Sequence, residues 1–142
     1  MKKINYYYLV AGALAILFSI THESNGQQTY IPALHNGNLD VNAVTTFSYI
    51  WHIITAENFV FGIAFIIMAF CKEMKNVRFS ALLICAILMI RLFVIVGTTL
   101  CTIGWQLTDL VIDIIAIIVY VTIILLGTRG KKLHTQLFAH LI

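Results

Sequence analysis

Long apolar runs separated by short polar stretches dominate this chain. Four runs stand out, over residues 4–22, 47–71, 79–101 and 106–127. Each approaches the roughly 20 mostly apolar residues that a helix needs to cross a bilayer core. Lipid offers the backbone no hydrogen-bond partner, so such runs must satisfy their own amides as helices. Strict alternation of polar and apolar residues is missing, which argues against a membrane barrel. The intervals at 72–78 and 102–105 are short, and short connections make consecutive helices antiparallel neighbours. The pattern predicts an all-α membrane protein with a single domain over 1–142: four antiparallel transmembrane helices in an up-down-up-down bundle. The one long connection, 23–46, reads as an outer loop. It holds the only proline, Pro32, and a turn-like run His35-Asn36-Gly37-Asn38, and Asp40 or Asn42 is placed to cap the second span. In the inner tail, 128–142, Leu133, Leu137 and Leu141 share one helical face, while Lys131, Lys132, His134 and Gln136 supply polarity. That is the pattern of a short amphipathic helix lying on the membrane surface.

Composition sharpens the class. Of 142 residues, 61% are hydrophobic and 11% charged, and the mean hydropathy is +0.94. A soluble domain has about 45–50% apolar and about 25% charged residues. The difference excludes a water-soluble fold, a disordered chain and a nucleic-acid-binding module. Charge placement then sets direction. Lys2, Lys3, Lys72, Lys75, Arg78, Arg129, Lys131 and Lys132 fall on one side of the four runs, and residues 21–46 carry no Lys or Arg. The positive-inside rule makes that side cytoplasmic, with both chain ends there, and points to the inner (cytoplasmic) membrane. A competing reading makes the first run a cleaved signal peptide, with Lys2 and Lys3, a core from Leu9 to Ile20 and small residues at Ser24 and Gly26. Tyr6 to Tyr8, which lengthen the apolar run, and Thr21-His22-Glu23, which intrude before the cleavage point, weigh for a span.

The ionisable residues inside the runs carry the candidate chemistry, because such groups are costly in lipid and face the bundle interior. At a rise of about 1.5 Å per residue, His52 lies roughly 8 Å and Glu57 roughly 15 Å below the outer end of the second run. Arg91 lies about 15 Å below the outer end of the third, and Asp109 and Asp113 about 5 and 10 Å into the fourth. His22 and Glu23 close the first run at the same face. The costly groups thus gather in the outer half, and the inner half is Ile, Leu, Val, Ala and Phe. Arg91 keeps its proton and needs a carboxylate. Asp113 is the first candidate partner, across a tight turn, and Glu57 the second. Asp109 and Asp113 share a face four residues apart and repel unless a cation or proton lies between them. His52 and Glu57 are about 140° apart around their helix and form no single motif.

The expected function is non-catalytic. His52, Glu57, Arg91, Asp109 and Asp113 would bind a small molecule, a lipid headgroup or a protein partner. Two alternatives stay open. One is a proton-coupled small transporter titrating Asp113 or Glu57. The other is a membrane-embedded enzyme, or a metal or haem redox protein, using His52 with His22 as a second ligand. No HxxxH, HxxEH or ExxH spacing supports a metal, and Cys71, Cys85 and Cys101 form no CxxC pair. The sequence names no cofactor. The lipid bilayer is the one partner that composition demands, and association into oligomers stays open.

Overall fold

Local sequence sets the helix ends. The computed structural model describes residues 4–103 and 108–129, and the elements in them are helical throughout. The tail expected to lie on the membrane falls outside the described residues, as does the turn at 104–107. Asn5 accepts from the Tyr8 amide at 3.3 Å and starts α1, Tyr6–Asn25. A π turn, Gly26–Tyr30, then leads into α2, Ile31–Asn36. Asn38, at φ 52°, reverses the chain in a left-handed conformation that asparagine tolerates. Asp40 accepts from the Asn42 amide at 3.0 Å and starts α3, Val41–Ala69. Two further long helices follow, α4, Met74–Ile103, and α5, Thr108–Thr128.

The expected outer loop over 23–46 is corrected by this arrangement, since only residues 37–40 leave helical geometry. The reason lies next to Pro32, in the first turn of α2. A proline ring clashes with the carbonyl four residues back in a regular helix. The wider π turn just ahead of it, closed by the Ile31 amide on the Gly26 carbonyl, lets the chain stay helical.

Among the described residues, three helices are long and apolar enough to cross a membrane: α3, α4 over Lys75–Thr102, and α5 over Leu110–Thr128. The expectation of four such helices holds for these three only. In α1, three leading tyrosines and the closing His22-Glu23-Ser24-Asn25 dilute the apolar stretch between them.

Asn5 fixes how the helices sit. Its amide nitrogen donates to the Ala69 carbonyl at 3.0 Å, and its Nδ2 donates to the Gly127 carbonyl at 3.0 Å. The start of α1 is thereby tied to the ends of α3 and α5, which makes α1 antiparallel to both. α1 packs along α3 and α5, α4 packs on α5, and the α3–α4 seam is loose. Along α1 and α3 the backbones meet at Gly12 and Gly62. A Cβ on Gly62 would lie 2.6 Å from Ile16 Cγ1 and 3.0 Å from the Gly12 carbonyl oxygen.

Packing is uneven along the bundle axis. Tyr8 and Ala11 of α1, Phe65 and Ala69 of α3, Ala81 and Leu88 of α4, and Tyr120 and Ile124 of α5 form one apolar core at the end where Asn5 sits. Dispersion and burial there hold the four long helices together. Outward of Ser19, the buried side of the described residues shrinks to Gly26, Val44 and Leu110.

Candidate functional site

Each long helix carries a stripe of core-facing residues at spacings of three and four, and in the half away from Asn5 each stripe takes in a polar side chain, with Leu92 of α4 and Leu110 of α5 still buried there. On α1, Tyr8, Ala11, Ala15 and Ser19 lead to His22. On α3, Ala69, Phe65 and Phe61 lead to Asn58. On α4, Ala81, Ile84 and Leu88 lead to Arg91, and on α5, Ile124 and Tyr120 lead through Ile117 to Asp113. One polar side chain per helix therefore stands where the apolar core ends.

Arg91 bridges the loose seam. It donates from Nη1 to Asn58 Oδ1 at 3.0 Å and from Nη2 to Glu57 Oε2. The Arg91 side chain is 17% exposed and that of Glu57 32%. The pairing with Asp113, expected first, is not made. Adjacent Glu57 and Asn58 give the planar guanidinium two acceptors on one helix, matching its fork. Asp113 offers one shorter carboxylate from α5 and is exposed. The Asp109 side chain lies outside the described residues.

A second polar group ties α1 to α3. Glu23 Oε2 receives Thr55 Oγ1 at 3.0 Å and faces His52 Nδ1 at 3.1 Å, while Oε1 receives Gln27 Nε2 at 3.0 Å. An ionised Glu23 can only accept, so His52 Nδ1 carries the proton of that bond. Ser19 Oγ donates to the Thr55 carbonyl at 2.9 Å. Above these, the His22 ring stacks on the Trp51 indole with centroids 4.1 Å apart and planes 7° from parallel. Trp51 Nε1 donates to the His22 carbonyl at 3.0 Å. His22 Nε2 is buried and has no hydrogen-bond partner.

Gly26 makes the Trp51 clamp possible. A Cβ there would lie 2.0 Å from Trp51 Nε1 and 2.6 Å from Cδ1. Gly26→Ala is expected to push the indole out of its seat and to cost about 1–3 kcal/mol, the usual range for overpacking. Trp51 emission in a Trp105→Phe background should shift to the red; an unchanged spectrum would contradict the packing.

No protein-family model, curated protein or solved structure matches the chain. Chemistry must therefore be read from the side chains alone. Among the described residues, no group of three or more His, Cys, Asp or Glu side chains could hold a metal ion. His22 and His52, the expected metal pair, are engaged separately, one on Trp51 and one on Glu23. Ser19 donates to a backbone carbonyl instead of a base, so it is not set up as an activated nucleophile. The arrangement can hold charge and hydrogen bonds in a partly open space between helices.

Sequence reasoning singled out the charged members and missed the amides. Asn58 completes the Arg91 site, and its only signal is a polar residue beside Glu57 inside an apolar run. Asn5 was not singled out either: its residue type suits an N-cap, but nothing local announces its grip on two other helices. Gly26 and Trp51 are 25 positions apart, and nothing local in either announces the other.

Proposed function

We propose that this chain is a four-span membrane protein that binds a small polar molecule in a water-accessible cleft in its extracytoplasmic half. α1 serves as the fourth span, since it packs along α3 and α5 and shares their core. Lys72, Arg78 and Arg129 cluster at the Asn5 end, which favours a cytoplasmic placement of that end. The observation that carries the reading is the entry of a polar side chain into each of the four core stripes in the half away from Asn5, at His22, Asn58, Arg91 and Asp113. Polar groups facing inward where the core has ended need water or a ligand as their environment.

Binding is favoured over transport by the opposite half. Tyr8, Phe65 and Ile124 are each 0% exposed there, and the buried hydroxyls of Tyr8 and Tyr120 have no hydrogen-bond partner, so the described residues form no connected polar relay toward the cytoplasmic end. The enzyme reading lacks an activated nucleophile, and the metal reading lacks a ligand set among the described residues. The test is thiol labelling. In a Cys101→Ser background, which removes the exposed thiol at the far end of α4, Asp113→Cys in intact cells should react with a membrane-impermeant maleimide added outside, whereas native Cys85, buried in the core, should not. An Asp113→Cys protein that reacts only after detergent would overturn the cleft.

A further inference from the structure

The seam between α3 and α4 is closed on one side of the Arg91 group and open on the other. On α3, Met68 and Ile50 lie about five turns apart and so occupy one face. Met68, toward the Asn5 end, is 6% exposed, and Ile50 is 47% exposed. On α4, Ile84 and Thr102 repeat that spacing: Ile84 is 8% exposed, and Thr102 is exposed. In the same half α4 stays on α5, where Leu92 and Leu110 remain buried. Outward of Arg91, α4 therefore parts from α3. The notch between them is about 16 Å deep, at 1.5 Å per residue from Arg91 to Thr102. Its walls are apolar. Ile54 of α3 and Ile95 of α4 belong to the two facing sides and are half-buried. The Thr98 and Thr102 hydroxyls donate to the Val94 and Thr98 carbonyls of their own helix at 2.7 and 2.8 Å, so they require no outside partner. Its floor is polar. Arg91 donates two of its five N–H groups, to Asn58 and Glu57, and the other three make no hydrogen bond among the described residues. Phe61 and Leu88, one turn inward, are buried and close that side, so the open part of the Arg91 side chain lies toward the notch.

From an apolar notch above unused donors we infer that the small molecule of the cleft is an uncharged amphiphile, with a carbonyl head on the Arg91 guanidinium and an aliphatic body along the notch. This rests on the cleft reading above and names its ligand class. A guanidinium only donates, so the head must accept. Glu57 already balances its charge. An anionic head would be repelled by that carboxylate, and a cationic head by the guanidinium. Water would satisfy the donors but would leave Ile50, Ile54 and Ile95 wetted, and an aliphatic body covers them.

The experiment uses the full chain in nanodiscs of a zwitterionic ether-linked lipid, which has no carbonyl of its own, and follows the infrared carbonyl stretch of 2-hexanone. A saturable band at lower frequency than in empty nanodiscs is expected, because a carbonyl accepting from a charged donor is weakened. Acetone has the head without the body and should give no saturable band. Hexanoate and hexylammonium at equal concentration should leave the hexanone band in place. The double variant Arg91→Leu with Glu57→Leu strands no charge, so it should fold and lose the band. Ile50→Trp fills the notch from an exposed position, leaves Arg91 and Glu57 in place and should weaken hexanone about tenfold, the scale of a partly lost apolar contact. An undiminished band in the double variant, or its loss to hexanoate or hexylammonium, would overturn the assignment. Labelling separates the two levels of failure. If Asp113→Cys reacts from outside and hexanone gives no saturable band, the ligand class is wrong and the cleft stands. If Asp113→Cys does not react, both fall.

Discussion

Gly62→Leu is expected to unseat α1 from α3 and to produce the largest stability loss of any single change on these two helices. The Cβ alone would stand 2.6 Å from Ile16 Cγ1, 3.0 Å from the Gly12 carbonyl oxygen and 3.1 Å from the Ile16 amide nitrogen. A side-chain methyl can swing aside, but backbone atoms move only with their helix. Gly12 reports the same crossing from the other side, with its Cβ 2.9 Å from the Gly62 carbonyl oxygen and 3.0 Å from the Ile66 amide nitrogen. Close approach of this kind lets helices associate in lipid, where packing has to replace the hydrophobic drive. Overpacking costs about 1–3 kcal/mol in a core that can adjust. Here the helices must part, so a loss of about 3 kcal/mol or more is expected. Gly97→Leu is the control, because nothing lies within 4 Å of a Cβ at that position. It should be neutral or gain up to about 1 kcal/mol of helix propensity. Unfolding in mixed micelles compares them, and equal stability of the two variants would contradict the close crossing.

The second large effect concerns Arg91. Arg91→Leu leaves Glu57 and Asn58 facing the seam between α3 and α4 without their donor. Breaking one side of a fully buried ion pair costs about 3–5 kcal/mol. Glu57 keeps 32% exposure, so the expected loss is about 2–3 kcal/mol. Removing the stranded carboxylate as well should recover most of it. The double variant Arg91→Leu with Glu57→Leu is therefore expected to be more stable than Arg91→Leu alone, with a coupling of 1 kcal/mol or more on the scale of about 0.5–3 for contacting residues. Arg91→Leu with Asp113→Leu should show no such recovery. If Asp113 rescues and Glu57 does not, the guanidinium turns toward α5 and the seam is wrongly described.

The Arg91 choice illustrates what the sequence could and could not reveal. Position along a helix follows from counting residues, so Glu57, Arg91 and Asp113 could all be placed toward the same end of the bundle. Depth does not decide which neighbour a long side chain reaches. Both α3 and α5 flank α4, and only the packed arrangement turns Arg91 toward the doublet Glu57-Asn58. Helix existence was legible because apolar runs near 20 residues leave few options. The helical path of residues 23–36 was not, since Gly26, Pro32 and several polar residues resemble loop composition, and the π turn that reconciles Pro32 with a helix has no local sequence signature. His22 shows the same limit. Its level was readable, but its stack on Trp51 depends on Gly26 and on the α1–α3 crossing far below it.

The most direct measurement is a nitroxide walk along the inward stripe of α5, at positions 113, 117, 120 and 124, in a reconstituted bilayer. Power saturation compares collision with a water-soluble nickel chelate and with oxygen at each position. The expected profile has strong nickel contact at 113, a steep fall at 117 and little contact with either agent at 120 and 124. Oxygen contact without nickel at 113 would put that side chain among acyl tails, and nickel contact at 120 or 124 would open the half held closed by Tyr8, Phe65 and Ile124; either result contradicts a bundle that is wet outside and shut within.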